Sequence, residues 1–134
     1  RIREILGGFL EKVFAEEKDI ELLAISTTEG MNISHVASEG VSLAAPRLAN
    51  LAGSVMGLGK DLTKNVLRQN PGTMCLETEG GNVCLVHTTF ANYPCILTIA
   101  ANRDVSLARI RLITVRLADQ ISSFGRQGGA SSTG

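Results

Sequence analysis

The stretch from Leu43 to Leu67, LAAPRLANLAGSVMGLGKDLTKNVL, is the longest part of the chain with a helical pattern. Two series of apolar or small residues run along it, each with the three- or four-residue spacing of one helix face. The larger series is Ala44, Leu48, Leu51, Val55, Leu58, Leu62 and Val66. The smaller series is Ala45, Ala49, Ala52, Met56 and Gly59. Together they cover more than half of the helix circumference, so a single buried face does not account for them.

The two series predict that this helix packs against two surfaces. We expect the larger series to lie on the chain's own sheet and the smaller series to meet another protein chain, because small side chains let a facing backbone come close. Gly53, Gly57 and Gly59 each weaken a helix by up to about 1 kcal/mol relative to alanine. Their presence in one helix therefore indicates a packing requirement. The alternative is a kinked core helix in a monomer.

The length and charge of the chain restrict the classes of function. Its 134 residues are enough for one domain with its own core. Its 13 basic and 13 acidic residues cancel, so no net field attracts nucleic acid or an acidic membrane. No apolar run approaches the roughly 20 residues that span a bilayer. We therefore predict a cytoplasmic protein with no nucleic-acid partner and no direct membrane insertion.

The first segment is charged and amphipathic, and it begins with Arg1 rather than Met. It lacks the uncharged apolar core of a secretory signal. We expect either a trimmed start or the continuation of a longer protein.

The three cysteines, Cys75, Cys84 and Cys95, lie within apolar, strand-like runs. Their number is odd, and their spacing fits no Cys-x-x-Cys metal motif. Free cysteine is among the most often buried residue types, and disulfides are rare in the cytosol. We therefore interpret all three as reduced core thiols.

The remaining elements follow from periodicity. An apolar stripe predicts a first helix from Ile2 to about Glu17. Alternating runs around polar turns predict two hairpins. Their strands are Glu21–Thr28, Met31–Ala37, Thr73–Thr78 and Val83–Thr89. The continuous apolar run Cys95–Ala101 is typical of a central strand, and a last helix, capped by Asp104 or Ser106, extends to Phe124.

Turn and cap residues predict where the elements end. Ser42 is the expected N-cap of the middle helix, and Pro46 lies in its first turn, where proline is tolerated. Asn70-Pro71-Gly72 is a strong stop signal after this helix. The low-complexity segment 125–134 predicts a disordered tail after one domain of residues 1–124.

The resulting order of elements is α-β-β-α-β-β-β-α. Five strands joined mostly by short turns predict one antiparallel sheet, which needs helices on its faces to be stable. The first and last helices each have one apolar stripe and can share a face, while the middle helix covers the other. The predicted fold class is therefore α/β, an α+β sandwich around a single five-stranded antiparallel sheet.

No pattern in the sequence supports catalysis or cofactor binding. His35 and His87 lie in strands without an acidic residue at metal-ligand spacing. Cys84 and His87 are three apart on a strand and so point to opposite faces, which excludes a Cys-His dyad. The segment 53–61 resembles a phosphate loop only superficially, because Asp61 stands where Ser or Thr would bind magnesium. We predict no catalytic residue, no metal and no cofactor.

The chain resembles the roadblock/dynein light chain family over about residues 2–124. The likeness rests on LGGFLEKVF (6–14), ELLAISTTEGMNIS (21–34), the Ala/Gly-rich middle helix, ETEGGNVCLVHT (77–88) and NRDVSLARIRL (102–112). Proteins of this family form dimers and act as platforms for small Ras-like GTPases or motor complexes. Those of its bacterial branch regulate a polarity or gliding-motility GTPase. The resemblance thus implies a non-catalytic homodimer that binds, regulates or scaffolds a small GTPase.

The resemblance also implies where the dimer is joined. In dimers of this family, the strand after the middle helix pairs across a two-fold axis and the two middle helices lie side by side. On this chain those elements are Thr73–Thr78 and Leu43–Leu67. Combined with the small helix face, this predicts an interface of Ala45, Ala49, Ala52, Met56, Gly59, Met74 and Leu76. The residues that bind the GTPase are not predicted.

Two other classes of function compete with this interpretation. One is a small-molecule-sensing domain of the same sandwich shape, with a ligand between sheet and helix. The sequence lacks the usual cluster of polar and aromatic pocket residues, and a bound metabolite would favour this alternative. The other is a hydrolase, which the missing nucleophile–base pair opposes.

Overall fold

The computed structural model describes the backbone of residues 1–133 and the side chains of residues 1–124. Its elements have the predicted order α-β-β-α-β-β-β-α. They are α1 (Ile2–Glu16), β1 (Ile20–Thr27), β2 (Asn32–Ala37), α2 (Ala45–Leu67), β3 (Thr73–Thr78), β4 (Gly81–Phe90), β5 (Tyr93–Asn102) and α3 (Leu107–Thr133).

The five strands form one antiparallel sheet in the order β2-β1-β5-β4-β3. The central strand is β5, which confirms the prediction from its continuous apolar run. Ile96, Leu97 and Ile99 of this strand are all buried, so both of its faces are covered. Strands β2 and β3 lie at the two edges of the sheet.

Helices α1 and α3 lie on one face of the sheet and enclose the main core. Large aliphatic residues dominate this core. Those from the helices are Leu6, Leu10, Ile110, Leu117 and Ile121, and those from the strands include Leu23, Ile25, Leu97 and Ile99. The prediction that the first and last helices share a face is confirmed, because each has one apolar stripe to bury.

Helix α2 lies alone on the opposite face, as predicted. Its Ala52 and Met56 form a second, smaller core with Leu85 of β4 and Ile96 of β5. Val55 is half-buried at the edge of this small core. The sheet is therefore covered on both faces, by two helices on one and by α2 on the other.

The face of α2 that meets the sheet is mainly the smaller series, not the larger series as predicted. Its buried residues come from the smaller series: Ala49, Ala52, Met56 and Gly59. The exposed ones come from the larger series and include Leu51, Leu58, Leu62 and Val66. The prediction that the larger series lies on the sheet is wrong, because small side chains allow α2 a closer approach to the strands than leucines would.

The structure selects among the predicted caps. The N-cap of α2 is Ala44 rather than Ser42, because the chain is still extended at Ala44, and no side chain caps this end. At the start of α3, the Ser106 hydroxyl accepts a hydrogen bond from the backbone N–H of Arg109 at 3.1 Å. Ser106 rather than Asp104 therefore caps the last helix.

The connection between β4 and β5 is tighter than predicted. The break expected over residues 91–94 is a two-residue turn in which Ala91 and Asn92 have φ values of 52° and 65°. Positive φ at both positions is typical of tight hairpin turns. Phe90 pairs with Tyr93 across this turn, so both strands are longer than the sequence predicted.

The last helix continues past residue 124, where the predicted domain ends. The backbone of α3 continues through Thr133, into the segment 125–134 for which a disordered tail is predicted. The side chains from residue 125 onward, and all of Gly134, lie outside the described residues. The division of the chain at residue 124 stays a prediction.

The orientation of α2 predicts that Ala52→Arg destabilises the fold. Ala52 is only 3% exposed, so the guanidinium would be buried without a partner, at a cost of about 3 kcal/mol or more. Urea denaturation followed by circular dichroism measures the loss. Ser54→Arg, on the exposed side of the same helix, is the matched control and should change the free energy of unfolding by about 0.5 kcal/mol or less. Equal stabilities of the two variants would contradict this orientation.

Candidate interaction surface

An exposed side of α2, next to the side that meets the sheet, carries a row of large apolar residues, which we call the leucine face: Leu51, Leu58, Leu62 and Val66. Their exposed fractions are 41%, 70%, 65% and 64%. The intervals of seven, four and four positions place all of them on one side of the helix. Large exposed apolar patches are typical of interaction sites, so the leucine face is the candidate interaction surface.

The leucine face is outward because the other side of α2 is fitted closely to the sheet. A Cβ atom at Gly59 would overlap the terminal methyl group of Met74 on β3. A Cβ atom at Gly53 would lie 3.2 Å from the carbonyl oxygen of Thr28. These glycines therefore serve the contact within the chain, whereas the sequence assigned the small residues to a contact between chains.

Strand β3 is an open edge of the sheet beside α2. It pairs with β4 on one side, and none of the described side chains hydrogen-bonds to its main chain. Leu76 of β3 is 48% exposed. It pairs with Val83, which packs in the small core under α2, so the Leu76 side chain lies on the same side of the sheet as the leucine face.

The opposite edge, β2, is partly blocked. The guanidinium of Arg3 on α1 donates two hydrogen bonds to the carbonyl oxygen of Ile33, at 3.1 Å from Nε and 2.7 Å from Nη2. This carbonyl is occupied and is not free to accept a bond from an added strand. Of the two edges, β3 is therefore the better suited to pair with another chain.

The predicted interface residues have different positions in the structure. Ala49, Ala52, Met56 and Gly59 are buried against the chain's own sheet and are not available to a second chain. Ala45 is half-buried, and Met74 is half-buried in the small core. Leu76 alone of the predicted set is exposed. The leucine face was in the sequence pattern but was assigned to the sheet.

A cleft of about 520 Å³ lies beside α2, at the end of the β4–β5 hairpin. Gly53, Gly57 and Lys60 line its helix side, and His87 and Ile96 line its sheet side. Burial, and then the positive charge of Lys60, lower the pKa of His87 below its usual value. Two basic groups therefore border an open space within the size range of small-molecule sites.

The two fully buried thiols, Cys84 and Cys95, are not activated as nucleophiles. Burial, and then the hydrogen bond with Cys75, raise the pKa of Cys84 to about 12. Burial raises the pKa of Cys95 to about 11. A nucleophilic cysteine needs the opposite shift. Cys84 belongs to the core under α1 and α3, whereas His87 borders the cleft under α2, so the two lie on opposite faces of the sheet.

The described part of the chain contains neither a candidate metal site nor a candidate membrane-spanning helix. No group of three or more His, Cys, Asp or Glu side chains is arranged to hold a metal ion among these residues. Within the same residues, no helix combines the length and the apolar character needed to cross a membrane.

The cleft predicts a measurable effect of Lys60 on His87. Lys60→Met should raise the pKa of the His87 imidazole toward its usual value, because the repulsion is removed, but not fully, because the burial remains. An NMR pH titration of the imidazole protons measures this shift. Lys64→Met, one turn further along α2, is the control and should leave the titration unchanged. An unmoved pKa in Lys60→Met would contradict the place of Lys60 beside His87.

Comparisons with known proteins give a match in structure and none in sequence. No protein-family model and no curated protein matches the chain. MglB from Myxococcus xanthus superposes with a TM-score of 0.77 at 12% identity, over 93% of this chain and 90% of its own. The gliding protein MglB from Thermus thermophilus has a TM-score of 0.75 at 13% identity, over 94% and 92%. A Roadblock/LC7 domain from Streptomyces avermitilis has a TM-score of 0.66 at 12% identity, over 96% and 98%.

These matches extend over almost the whole length of both partners in each pair. The identities are too low to carry residue roles across, so they bear on the fold. The shared fold agrees with the family resemblance that the sequence patterns indicated. The chain has the fold of the MglB and Roadblock/LC7 domain structures, which confirms its resemblance to the roadblock/dynein light chain family.

Proposed function

We propose that the chain is a non-catalytic interaction module that forms a homodimer and binds and regulates a small Ras-like GTPase, or acts as a scaffold for it. The observation that carries this proposal is the leucine face, a row of exposed apolar side chains on a domain with the MglB fold. An apolar row of this kind supports a role in binding another protein. The raised thiol pKa values of Cys84 and Cys95 agree with a role that requires no catalysis.

The dimer joins the leucine faces of two copies across a two-fold axis. Such an interface is self-complementary, so the same apolar row meets its own copy. Full burial of an exposed leucine or valine side chain contributes about 1.5–3 kcal/mol, and these four side chains, 41–70% exposed in the single chain, each gain a part of this. Four such residues from each chain supply a large favourable term, which offsets the loss of translational and rotational freedom on association.

The second part of the dimer contact is the open edge of β3. Antiparallel pairing of β3 with its copy joins the two five-stranded sheets into one. The main-chain groups of this edge then find hydrogen-bond partners. Leu76 lies on the same side of the sheet as the leucine face, so the strand contact and the helix contact are continuous. The interface is thus Leu51, Leu58, Leu62, Val66 and Leu76, which replaces the buried small residues of the sequence-based interface.

The proposed dimer predicts that Leu58→Arg dissociates it without unfolding the chain. Leu58 is 70% exposed in the single chain, so an arginine there reaches solvent in the monomer. In the dimer, two such charges would be buried in an apolar interface, at a cost of several kcal/mol. Light scattering coupled to gel filtration should show the 14.2 kDa monomer, and circular dichroism should show an unchanged fold.

The matched control for this experiment is Leu112→Arg. Leu112 is 44% exposed on α3, on the face of the sheet away from α2. It tests whether any new charge on an exposed leucine separates the chains. We expect Leu112→Arg to remain a dimer. A folded dimer for Leu58→Arg would place the interface elsewhere, and a monomeric wild-type chain would overturn the dimer.

The GTPase is the proposed partner because proteins of the resembled family serve small Ras-like GTPases. The test uses purified small GTPases from the source genome, each loaded with GDP or with a non-hydrolysable GTP analogue. We expect saturable binding to the wild-type dimer, with different affinities for the two nucleotide states. His35→Ala and His87→Ala should leave this binding intact, because neither histidine is assigned a catalytic role.

Two results would contradict this part of the proposal. If none of the GTPases binds in either nucleotide state, the regulatory role is wrong even if the dimer is correct. If either histidine variant abolishes an activity while the fold is retained, the chain is not the non-catalytic module proposed. Calorimetry measures the binding, and circular dichroism checks the folding of each variant.

A second candidate function is small-molecule sensing, which the cleft beside α2 favours. Its volume of about 520 Å³ is within the range of about 300–1,000 Å³ for ligand sites. The positive charge of Lys60 on one side of the cleft suits an anionic ligand, and the His87 imidazole adds a hydrogen-bonding group. Native mass spectrometry of the protein purified from its source distinguishes the two functions, because a retained metabolite would favour sensing.

A further inference from the structure

Cys75 and Cys84 face each other directly across the β3–β4 hairpin. They are register partners in the antiparallel pair, and their sulfur atoms are 2.6 Å apart. Both are free thiols. Directly opposed residues of an antiparallel pair have Cα atoms about 4.5 or 5.5 Å apart, and both values lie within the range of about 4.4–6.8 Å found for disulfides. The backbone is thus already placed for an S–S bond.

The two thiols differ in their access to solvent. Cys75 is half-buried on the edge strand β3. Cys84 is fully buried in the core under α1 and α3. The third cysteine, Cys95, is fully buried, and its thiol donates to the carbonyl oxygen of Tyr93 at 3.3 Å. A reagent from solution therefore reaches Cys75 first, and Cys84 lies directly behind it.

We propose that Cys75 and Cys84 form a reversible disulfide within one chain, with a small disulfide such as oxidised glutathione as the oxidant and Cys75 as the point of entry. This inference does not rest on the proposed function, because both sulfur atoms belong to the same chain. It assigns a redox role to a pair that the sequence analysis treated only as reduced core thiols.

The reaction proceeds in two exchange steps. The Cys75 thiol loses its proton to water and its thiolate attacks one sulfur of oxidised glutathione. A bond forms between Cys75 and that sulfur, the glutathione S–S bond breaks, and one glutathione thiolate leaves. The Cys84 thiol then loses its proton and attacks the Cys75 sulfur, which releases the second glutathione. Two protein thiols are oxidised and one glutathione disulfide is reduced to two glutathiones.

The second step is the slower one. Burial and the neighbouring Cys75 raise the pKa of Cys84, while the Thr114 hydroxyl and the Arg111 charge on α3 oppose that rise. Little of Cys84 is therefore thiolate near neutral pH. The short distance between the two sulfur atoms compensates, because the attack is within one chain and needs no diffusion.

The disulfide would tie the edge strand to its neighbour. Cys75 lies in the middle of β3, between Met74 under α2 and the exposed Leu76. A covalent bond at this position restricts separation of β3 from β4 and fixes the register of the hairpin. Excess reduced glutathione would reverse the bond by the same two steps.

The experiment incubates the folded wild-type chain with oxidised glutathione at neutral pH, quenches it with acid, unfolds it and alkylates the remaining thiols. Peptide mass spectrometry then locates each thiol. We expect loss of two of the three alkylatable thiols, a linked Cys75–Cys84 peptide pair and full alkylation of Cys95. Added reduced glutathione should restore all three thiols.

Two variants serve as controls. Cys95→Ser should form the linked pair as the wild type does, and Cys75→Ser should leave Cys84 alkylatable. Three outcomes would overturn the proposal in the wild type: no loss of thiols, a glutathione adduct that persists on Cys75 beside an alkylatable Cys84, or a bond between two chains seen on a non-reducing gel. The three overturning outcomes are all measured on the wild-type chain, so misfolding of a control variant does not affect them.

Discussion

The close contact between α2 and the sheet is the constraint on which the rest of the surface depends. Gly59 lies against the end of the Met74 side chain, and Gly53 lies near the carbonyl oxygen of Thr28, so a larger residue at either position would require its neighbour to shift. The side of α2 with the small residues is turned to the sheet, and the adjacent side, with most of the large apolar residues, is left exposed. The exposure of the leucine face in the single chain is therefore a consequence of the fold.

The order of elements was predictable because its signals are local. Asn70-Pro71-Gly72 ends one helix, Glu29-Gly30 turns one hairpin, and the continuous apolar run of β5 marks the central strand. The inward side of α2 was not predictable by the same rule. Assigning the larger residues to the core assumes that buried area alone decides. In α2 the glycines and alanines permit a shorter distance between the helix and the sheet. Close packing therefore decides that the smaller series, and not the larger one, meets the sheet.

The pairing of Cys75 with Cys84 could not be predicted from the sequence, because it depends on the length of the turn between β3 and β4. The sequence predicted a polar turn over residues 79–82, which leaves the pairing of the two strands undefined. The structure narrows the turn to Glu79 and Gly80, with Thr78 opposite Gly81. Counting outward from that pair places Cys75 opposite Cys84. A shift of one residue would have sent the two thiols to different faces, so turn length was the missing information.

The two faces of the sheet contribute unequally to stability. The face under α1 and α3 holds most of the large buried side chains, whereas α2 is attached through the small core of Ala52, Met56, Leu85 and Ile96. Helix α2 is thus the element whose position gains most from an external contact. A partner that binds only the docked helix stabilises the docked state by mass action. The side of the domain with the smaller core is therefore also the side that presents the leucine face, and binding of the proposed partner there would strengthen the attachment of α2.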